Sequence, residues 1–123
     1  MRFREELPDN CPPEDAFEPE NLIVYRMVET IPPTERDFYS HAIIYPDRKY
    51  KYKVSDCELR SVSVFAKINE CKLPIKIPAN RGRKIVRLIL NVSSGKVRQG
   101  TTSHYSWWIY ADFSPFTNYK EIT

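Results

Sequence analysis

The residues of this chain that are best suited to binding a ligand are basic, and they are concentrated in its second half. Between residues 71 and 111 there are eight lysines and arginines and no aspartate or glutamate. An uncompensated run of this kind predicts a positively charged surface and an anionic partner. The residues of this part of the chain that we assign to ligand binding are Arg81, Arg83, Arg87, Arg98, His104 and Trp108.

Aromatic side chains stand among these charges, with Tyr105, Trp107 and Trp108 close together in one run. A basic sheet with exposed aromatic rings can hold a single-stranded nucleic acid, because the cations neutralise phosphates and the rings stack on bases. The competing interpretation is that the rings form the core, since large aromatic side chains are mostly buried. The partner of the positive surface could also be internal, because residues 1–20 carry seven acids and only two arginines.

Arg26 is the other candidate binding residue, and it lies on a predicted strand over residues 21–28. Strand alternation places it on the same face as Val24 and Val28, and both faces of this strand are largely apolar. An unpaired guanidinium is costly on such a face. Arg26 is therefore either paired or partly exposed near the strand end, or it faces a ligand at the mouth of a cleft.

Tyr25-Arg26 on the first strand and Ser61-Val62-Ser63, followed by Phe65, loosely resemble the ADP-ribosyltransferase superfamily. In that family the arginine or histidine and the serine hold NAD, and a late glutamate does chemistry. The resemblance implies that Arg26 and Ser61 or Ser63 line one cleft, with a carboxylate opposite. No glutamate lies between Glu70 and Glu121, so the expected acid is missing from the late strands. At most, the resemblance implies a degraded or very divergent member.

Other kinds of chemical site have little support in the sequence. Three glycines cannot form a convincing phosphate-binding loop. Two histidines and the absence of a Gly-x-Ser-x-Gly turn argue against a hydrolase triad. No Cys-x-x-Cys pair is present, so a zinc site would need widely scattered ligands. We therefore predict no metal and no bound cofactor.

Cys11, Cys57 and Cys71 are predicted to be free thiols, because an odd number is a poor disulfide framework. The first residues lack the apolar core of a signal peptide. No apolar run approaches the roughly 18 residues that a membrane helix needs. We expect a soluble, cytoplasmic protein that has no membrane partner.

Short strands must position the candidate residues. The β-branched run over 84–92, followed by Ser93-Ser94-Gly95, predicts a hairpin with a polar return strand over 96–102. This hairpin would bring Arg87 beside Lys96 or Arg98, with Arg81 and Arg83 at its open end. The other strands predicted from alternating apolar residues cover 38–45, 49–54 and 104–110, in addition to 21–28.

Residues 59–73 are the best candidate for a helix, which would end at Pro74. The β-branched residues of 62–65 favour a strand there instead. Lysines that alternate along 49–54 suit an exposed sheet edge, and the prolines of 73–78 suit an extended edge segment.

These elements predict a single α+β domain, mostly antiparallel, with a strongly curved sheet of about six strands and one helix. Residues 1–20 are expected to form an irregular, acidic, proline-rich arm, 21–112 the domain and 113–123 a C-terminal tail. The first functional expectation is a small binding or regulatory module that acts through a basic, aromatic-containing face on an acidic protein or another anionic partner. The alternatives are a nucleic-acid-binding protein and a divergent or degraded ADP-ribosyltransferase-like enzyme.

Overall fold

Six antiparallel strands form the main element of the fold, and the computed structural model describes residues 2–50, 53–73, 80 and 82–122. The strands are β1 Leu22–Val28, β2 Val62–Phe65, β3 Lys84–Leu90, β4 Gly95–Gln99, β5 His104–Ile109 and β6 Lys120–Ile122. Their order across the sheet is β4-β5-β2-β1-β3-β6. The sheet is not closed.

Helical structure is confined to short turns. The α-helices of the described residues are α1 His41–Ile44, α2 Asp56–Leu59 and α3 Ile68–Lys72, and a 3₁₀ turn covers Glu35–Phe38. The predicted α+β class, with more strand than helix, is confirmed. The single long helix is wrong, because strand β2 interrupts residues 59–73. The competing prediction of a strand at 62–65 is the correct one.

Alternating apolar residues of the central strands build the core. Along β2, Val62 and Val64 are buried, whereas Ser63 between them is exposed. On β5, Trp107 is fully buried, and its indole Nε1 donates to the Ser94 carbonyl at 3.2 Å. The burial of these apolar side chains away from water is the main favourable contribution to folding. Other buried members of this core are Val24, Val28, Phe38, Val86, Leu88, Leu90, Val97 and Ile109.

Strand β1 is central, as predicted, but its two neighbours hold it to different extents. It pairs with β3 along its whole length, from Leu22 opposite Leu90 to Val28 opposite Lys84. With β2 it has one register pair, Tyr25 opposite Phe65. Strands β1 and β2 are therefore paired only at this position of their described residues. A cleft lies beside it, where the two strands diverge.

The predicted hairpin between 84–92 and 96–102 is wrong. Strand β4 pairs with β5, and β5, β2 and β1 lie between β4 and β3. Both edges of β3 are occupied by other strands, β1 on one side and β6 on the other. Strand β6 lies within the 113–123 segment that the sequence predicts as a tail, and its short, polar sequence gave no strand signal.

The strand predicted over 38–45 is also wrong, because this segment forms the end of the 3₁₀ turn and helix α1. Short apolar runs fit either period, so alternation alone could not decide between strand and helix. In the segment 49–54, the described residues 49, 50, 53 and 54 are not in a strand. Residues 51–52, like residues 74–79 of the predicted extended edge, lie outside the described residues.

The acidic arm over residues 2–20 runs along β4 and β5. Phe17 exchanges two backbone hydrogen bonds with Val97, at 2.8 and 2.9 Å, and Phe3 forms an isolated bridge with Tyr110. A disulfide joins Cys11 of the arm to Cys57 of α2. The prediction of three free thiols is therefore wrong, because the arm folds back far enough to bring these two cysteines together.

The remaining cysteine, Cys71, is free and buried, and burial raises the pKa of its thiol to about 11. Disulfides persist mainly in oxidising surroundings, so cysteine usage no longer argues for a cytoplasmic location. Among the described residues there is no helix with the length and apolar character that crossing a membrane requires.

Candidate functional site

A cleft of about 260 Å³ lies beside the point where β1 and β2 separate. It combines a few polar groups with an apolar and aromatic wall, which is the usual composition of a small-molecule site. The polar groups come from β1, α2, β2 with the residue before it, and β5: Arg26, Glu58, Ser61, Ser63, His104 and Ser106. The rest of the wall is formed by Tyr39, His41, Tyr50, Val54, Leu59 and Val62.

The Arg26 guanidinium is partly buried in this cleft and is held by neutral groups. Its Nε donates to the Asp37 carbonyl at 2.9 Å, and its Nη1 donates to the Ser63 carbonyl at 2.6 Å. The Phe38 ring lies 5.7 Å from its Cζ. In the described part of the chain no carboxylate forms an ion pair with this guanidinium.

Arg26 keeps its charge at neutral pH although burial lowers its pKa to about 10. The nearby Asp37 carboxylate opposes this shift, but it accepts hydrogen bonds from the backbone amides of Glu29 and Thr34. The cation has therefore lost water without gaining a paired anion. Such a group favours an anionic ligand that can approach its free donors.

Ser63 and His104 form a hydrogen-bonded pair in the cleft. The Ser63 hydroxyl lies 2.9 Å from His104 Nε2, and the Phe65 ring packs against the imidazole with centroids 5.4 Å apart. The antiparallel pairing of β2 with β5 sets the ring contact between Phe65 and His104, because these two residues are opposite each other in the register. Burial lowers the pKa of His104, with Glu58 opposing the shift, so the ring is neutral at neutral pH.

Glu58 brings a carboxylate to the β5 side of the cleft. Its Oε2 accepts from the Ser106 hydroxyl at 2.9 Å, and its Oε1 lies 3.7 Å from Arg98 Nη1. Helix α2 begins where the Ser55 hydroxyl accepts from the Glu58 amide at 3.1 Å. The Cys57 carbonyl accepts from the Trp108 indole at 2.9 Å, so α2 is tied directly to β5.

The residues predicted to bind a ligand do not all meet at this cleft. Arg26 and His104 line it. Trp108 is 1% exposed, so it cannot serve as a stacking surface, and its indole N–H is used in holding α2. Arg83 forms an ion pair with Glu29 at 3.5 Å.

Arg98 pairs with Asp15 of the acidic arm at 3.2 Å and lies near Glu58. Arg87 lies on β3, opposite Tyr25 and Lys120. The predicted convergence of Arg87 and Arg98 on one hairpin is therefore wrong, because three strands separate β3 from β4. Arg81 lies outside the described residues.

Glu58 and Ser106 were not assigned to a site from the sequence. Ser55 and Glu58 have the spacing of a capping box, which is a signal for the start of α2. That spacing would direct the Glu58 side chain back to its own helix, whereas the side chain turns to Ser106 instead. Glu58 and Ser106 are 48 residues apart in the sequence, so no local sequence pattern indicates that their side chains meet.

Comparison with known proteins assigns no family to the chain: no family model, curated protein or solved structure matches it. Within the described residues there is also no group of three or more histidine, cysteine, aspartate or glutamate side chains that could hold a metal ion. The cleft, with its partly buried Arg26, is consequently the feature of the described residues from which a function can be inferred.

Proposed function

We propose that the cleft binds NAD and that the chain is a divergent ADP-ribosyltransferase-like enzyme, which cleaves the bond between nicotinamide and ribose. One observation carries the proposal. Arg26 and Ser63, the residue types that the resemblance assigns to NAD binding, line one cleft. The Arg26 guanidinium donates to the Ser63 backbone carbonyl at 2.6 Å, and the Ser63 hydroxyl lies 2.9 Å from His104 Nε2. The same cleft holds a carboxylate, that of Glu58, although the resemblance expects the acid on a late strand.

The charge of Arg26 suits the pyrophosphate of a dinucleotide. Two backbone carbonyls orient the guanidinium and leave further donors for phosphate oxygens. With about 260 Å³, the cleft is slightly smaller than most small-molecule sites, so it suits the nicotinamide riboside half with the adjacent phosphate. The remaining nucleotide would extend out of its open side.

The wall of the cleft suits a flat, amide-bearing ring. Tyr39 and Tyr50 provide aromatic surface. The Tyr50 hydroxyl is buried and has no hydrogen-bond partner among the described residues. A buried hydroxyl without a partner is costly, and the carboxamide of nicotinamide is a group that could satisfy it.

A neutral His104 is compatible with this chemistry. Cleavage of the nicotinamide–ribose bond produces positive charge on the sugar, which a protonated imidazole would oppose. Because the pKa of His104 is lowered, the ring is uncharged at neutral pH and can hold the Ser63 hydroxyl in place.

Release of nicotinamide tests the proposal. The full chain is incubated with NAD at neutral pH, and nicotinamide is quantified by chromatography over time. We expect release above the uncatalysed rate, and loss of that release in Arg26→Gln. If neither release nor saturable NAD binding occurs at millimolar NAD, the proposed function is wrong.

A second candidate function is the binding of an acidic protein or another anionic partner through the β3–β6 edge. Arg87 and Lys120 are register partners there, and neither forms an ion pair within the described residues. Two unpaired cations side by side attract anions in a salt-dependent way. Heparin-resin retention at low salt should fall in Arg87→Ala/Lys120→Ala and not in Arg83→Ala/Arg98→Ala, whose charges are paired internally. Equal retention of the two variants would argue against this surface.

A further inference from the structure

We infer that the sheet face that carries Tyr25 and Phe65 binds a single-stranded nucleic acid. The inference rests on the second candidate function, because it names a partner class for the surface around Arg87 and Lys120, and it does not depend on the ligand of the cleft. Its basis is the strand register. Residues that are directly opposite each other on neighbouring strands project to the same face of a sheet, so a series of register partners forms a row of neighbouring side chains.

One such row crosses five neighbouring strands, from β6 to β5. Lys120 of β6 is opposite Arg87 of β3, which is opposite Tyr25 of β1. Tyr25 is opposite Phe65 of β2, which is opposite His104 of β5. Four spacings of about 4.8 Å between strands give the row a length of roughly 19 Å. The row therefore has two cations at one end, and aromatic and imidazole rings at the other.

The aromatic rings of the row are accessible to solvent in part, unlike the tryptophans of the same sheet. Tyr25 and Phe65 are partly exposed, whereas Trp108 is buried. Ile23 and Ile89 are register partners beside the row, and they are 44% and 50% exposed. Because residues two apart on a strand share a face, this apolar pair lies on the face of Tyr25. Bases could thus pack on an apolar and aromatic surface next to the cations.

The two cations of the row are not neutralised by their described neighbours. Neither Arg87 nor Lys120 forms an ion pair within the described residues. Glu121 follows Lys120 on β6, but it is opposite the buried Val86, so its side chain projects to the other face of the sheet. Phosphate groups that approach this end of the row would therefore meet positive charge without a competing carboxylate from β6.

The combination of cations with rings favours a nucleic acid over an acidic protein as the occupant. Both partners would be attracted by Arg87 and Lys120, but a nucleic acid also presents a flat base at a regular distance from each phosphate. Bases stack on aromatic side chains with little dependence on sequence. Sheets that bind single strands stack about two or three bases in this way. Tyr25 and Phe65, adjacent in the row, provide two stacking positions.

Fluorescence anisotropy at low salt tests the inference with the full chain. The probes are labelled oligothymidylate and oligouridylate, each about eight nucleotides long. We expect saturable binding of at least one of them. The tighter of the two probes identifies DNA or RNA as the natural class, because both supply the phosphates and bases that the row requires.

Replacement of the rings tests stacking. Tyr25→Leu removes an aromatic face and keeps an apolar side chain. Phe17→Leu is the matched control, because Phe17 is a 48% exposed ring of the arm that lies outside the row. We expect Tyr25→Leu to weaken binding at least about fivefold, and Phe17→Leu to leave the Kd unchanged. Phe65→Leu carries the same expectation as Tyr25→Leu, and it replaces that variant if circular dichroism and the thermal midpoint show that Tyr25→Leu fails to fold.

The salt dependence of binding separates charge from stacking. For single strands, the slope of log K against log salt is about −0.7 for each neutralised phosphate, so Arg87→Gln should make the slope shallower by about 0.7. Tyr25→Leu should weaken binding without a change in this slope. Arg2→Gln is the control for charge, because Arg2 is an exposed arginine of the arm outside the row. It should change neither the Kd nor the slope.

The results that would overturn the inference are distinct. If the wild type binds neither probe while its retention on heparin depends on Arg87 and Lys120, the nucleic-acid inference is wrong and the second candidate function stands. If neither binding nor that retention occurs, both are wrong. If Tyr25→Leu and Phe65→Leu bind as tightly as the wild type and Arg87→Gln binds more weakly, charge acts without stacking, and the partner is an acidic protein or another anion.

Discussion

Arg26 joins β1 to β2 through its side chain: its Nη1 donates to the Ser63 carbonyl at 2.6 Å, beyond the single backbone register pair of the two strands. The guanidinium thus satisfies a carbonyl of β2 at the place where the cleft opens. The same group is a partly buried cation that has no carboxylate ion pair in the described part of the chain. Arg26 therefore supports the pairing of β1 with β2, and it is the same side chain that we propose binds the anionic part of the ligand.

Thiol titration checks the link between the arm and α2. The denatured, unreduced protein should show one reactive thiol, which is Cys71, because Cys11 and Cys57 are paired. The disulfide closes a loop with a sequence separation of 46 residues. In the chain-entropy treatment, such a loop corresponds to about 4 kcal/mol of stability, so Cys11→Ser/Cys57→Ser should lower the free energy of unfolding by up to about that amount.

Cys71→Ser is the control for this experiment, because it removes a cysteine without touching the disulfide. It should abolish the titratable thiol of the unreduced protein. Three reactive groups in the unreduced wild type would contradict the pairing of Cys11 with Cys57.

Substitution of Gly95 tests the packing at the start of β4. Gly95 has a φ of +141°, a region that L side chains rarely adopt. A Cβ at this position would collide with the Trp108 carbonyl and would lie 2.9 Å from Trp107 Nε1. Gly95→Ala should therefore lower the free energy of unfolding by at least about 2 kcal/mol, measured by denaturant titration.

Gly82→Ala is a useful comparison, because Gly82 also has a positive φ, +85°, but its added Cβ would meet nothing within 4 Å. It should cost only the backbone strain, about 1 kcal/mol. Equal losses of unfolding free energy in the two variants would show that the close contacts of the added Cβ at position 95 do not contribute to the loss.

The stability of the protein should depend on pH through His104. Burial lowers the pKa of this histidine in the folded state, whereas the unfolded chain has the ordinary value of 6.5. The unfolded state therefore binds the proton more tightly. Stability should be complete above pH 6.5, fall as the pH drops below 6.5, and stop falling from this source below the folded pKa.

Denaturant titrations between pH 7.5 and 5.5 measure this dependence. His104→Gln, which keeps a polar group near Ser63, should reduce the loss of stability at lower pH. The pKa of His41 is lowered in the same way, so His41→Gln should remove a separate part of the loss. If His104→Gln shows the full dependence of the wild type, His104 does not titrate as proposed.

The strands that sequence patterns predicted well are those with long apolar alternation, β1, β3 and β5. Their pairing was not predictable, because β3 lies beside β1 and β6 through contacts that no local pattern records. The turn at Ser93-Ser94-Gly95 suggested a hairpin between β3 and β4, yet β4 pairs with β5 instead. The cleft was only partly predictable for the same reason: Arg26 and Ser63 carried a resemblance, whereas Glu58 enters through its contact with Ser106.

Titration calorimetry of NAD binding tests the central claim most directly, using the wild type, Arg26→Gln and Arg2→Gln. Arg2 is an exposed arginine of the arm that lines neither the cleft nor the neighbouring cavity beside Arg26, so its variant makes the same charge change elsewhere. Near-ultraviolet circular dichroism first establishes that all three proteins are folded. We predict saturable binding to the wild type, at least about 10-fold weaker binding to Arg26→Gln, equal to about 1.4 kcal/mol, and unchanged binding to Arg2→Gln. The same Kd for the wild type and Arg26→Gln, or no binding to the wild type, would contradict the claim that this cleft holds NAD through Arg26.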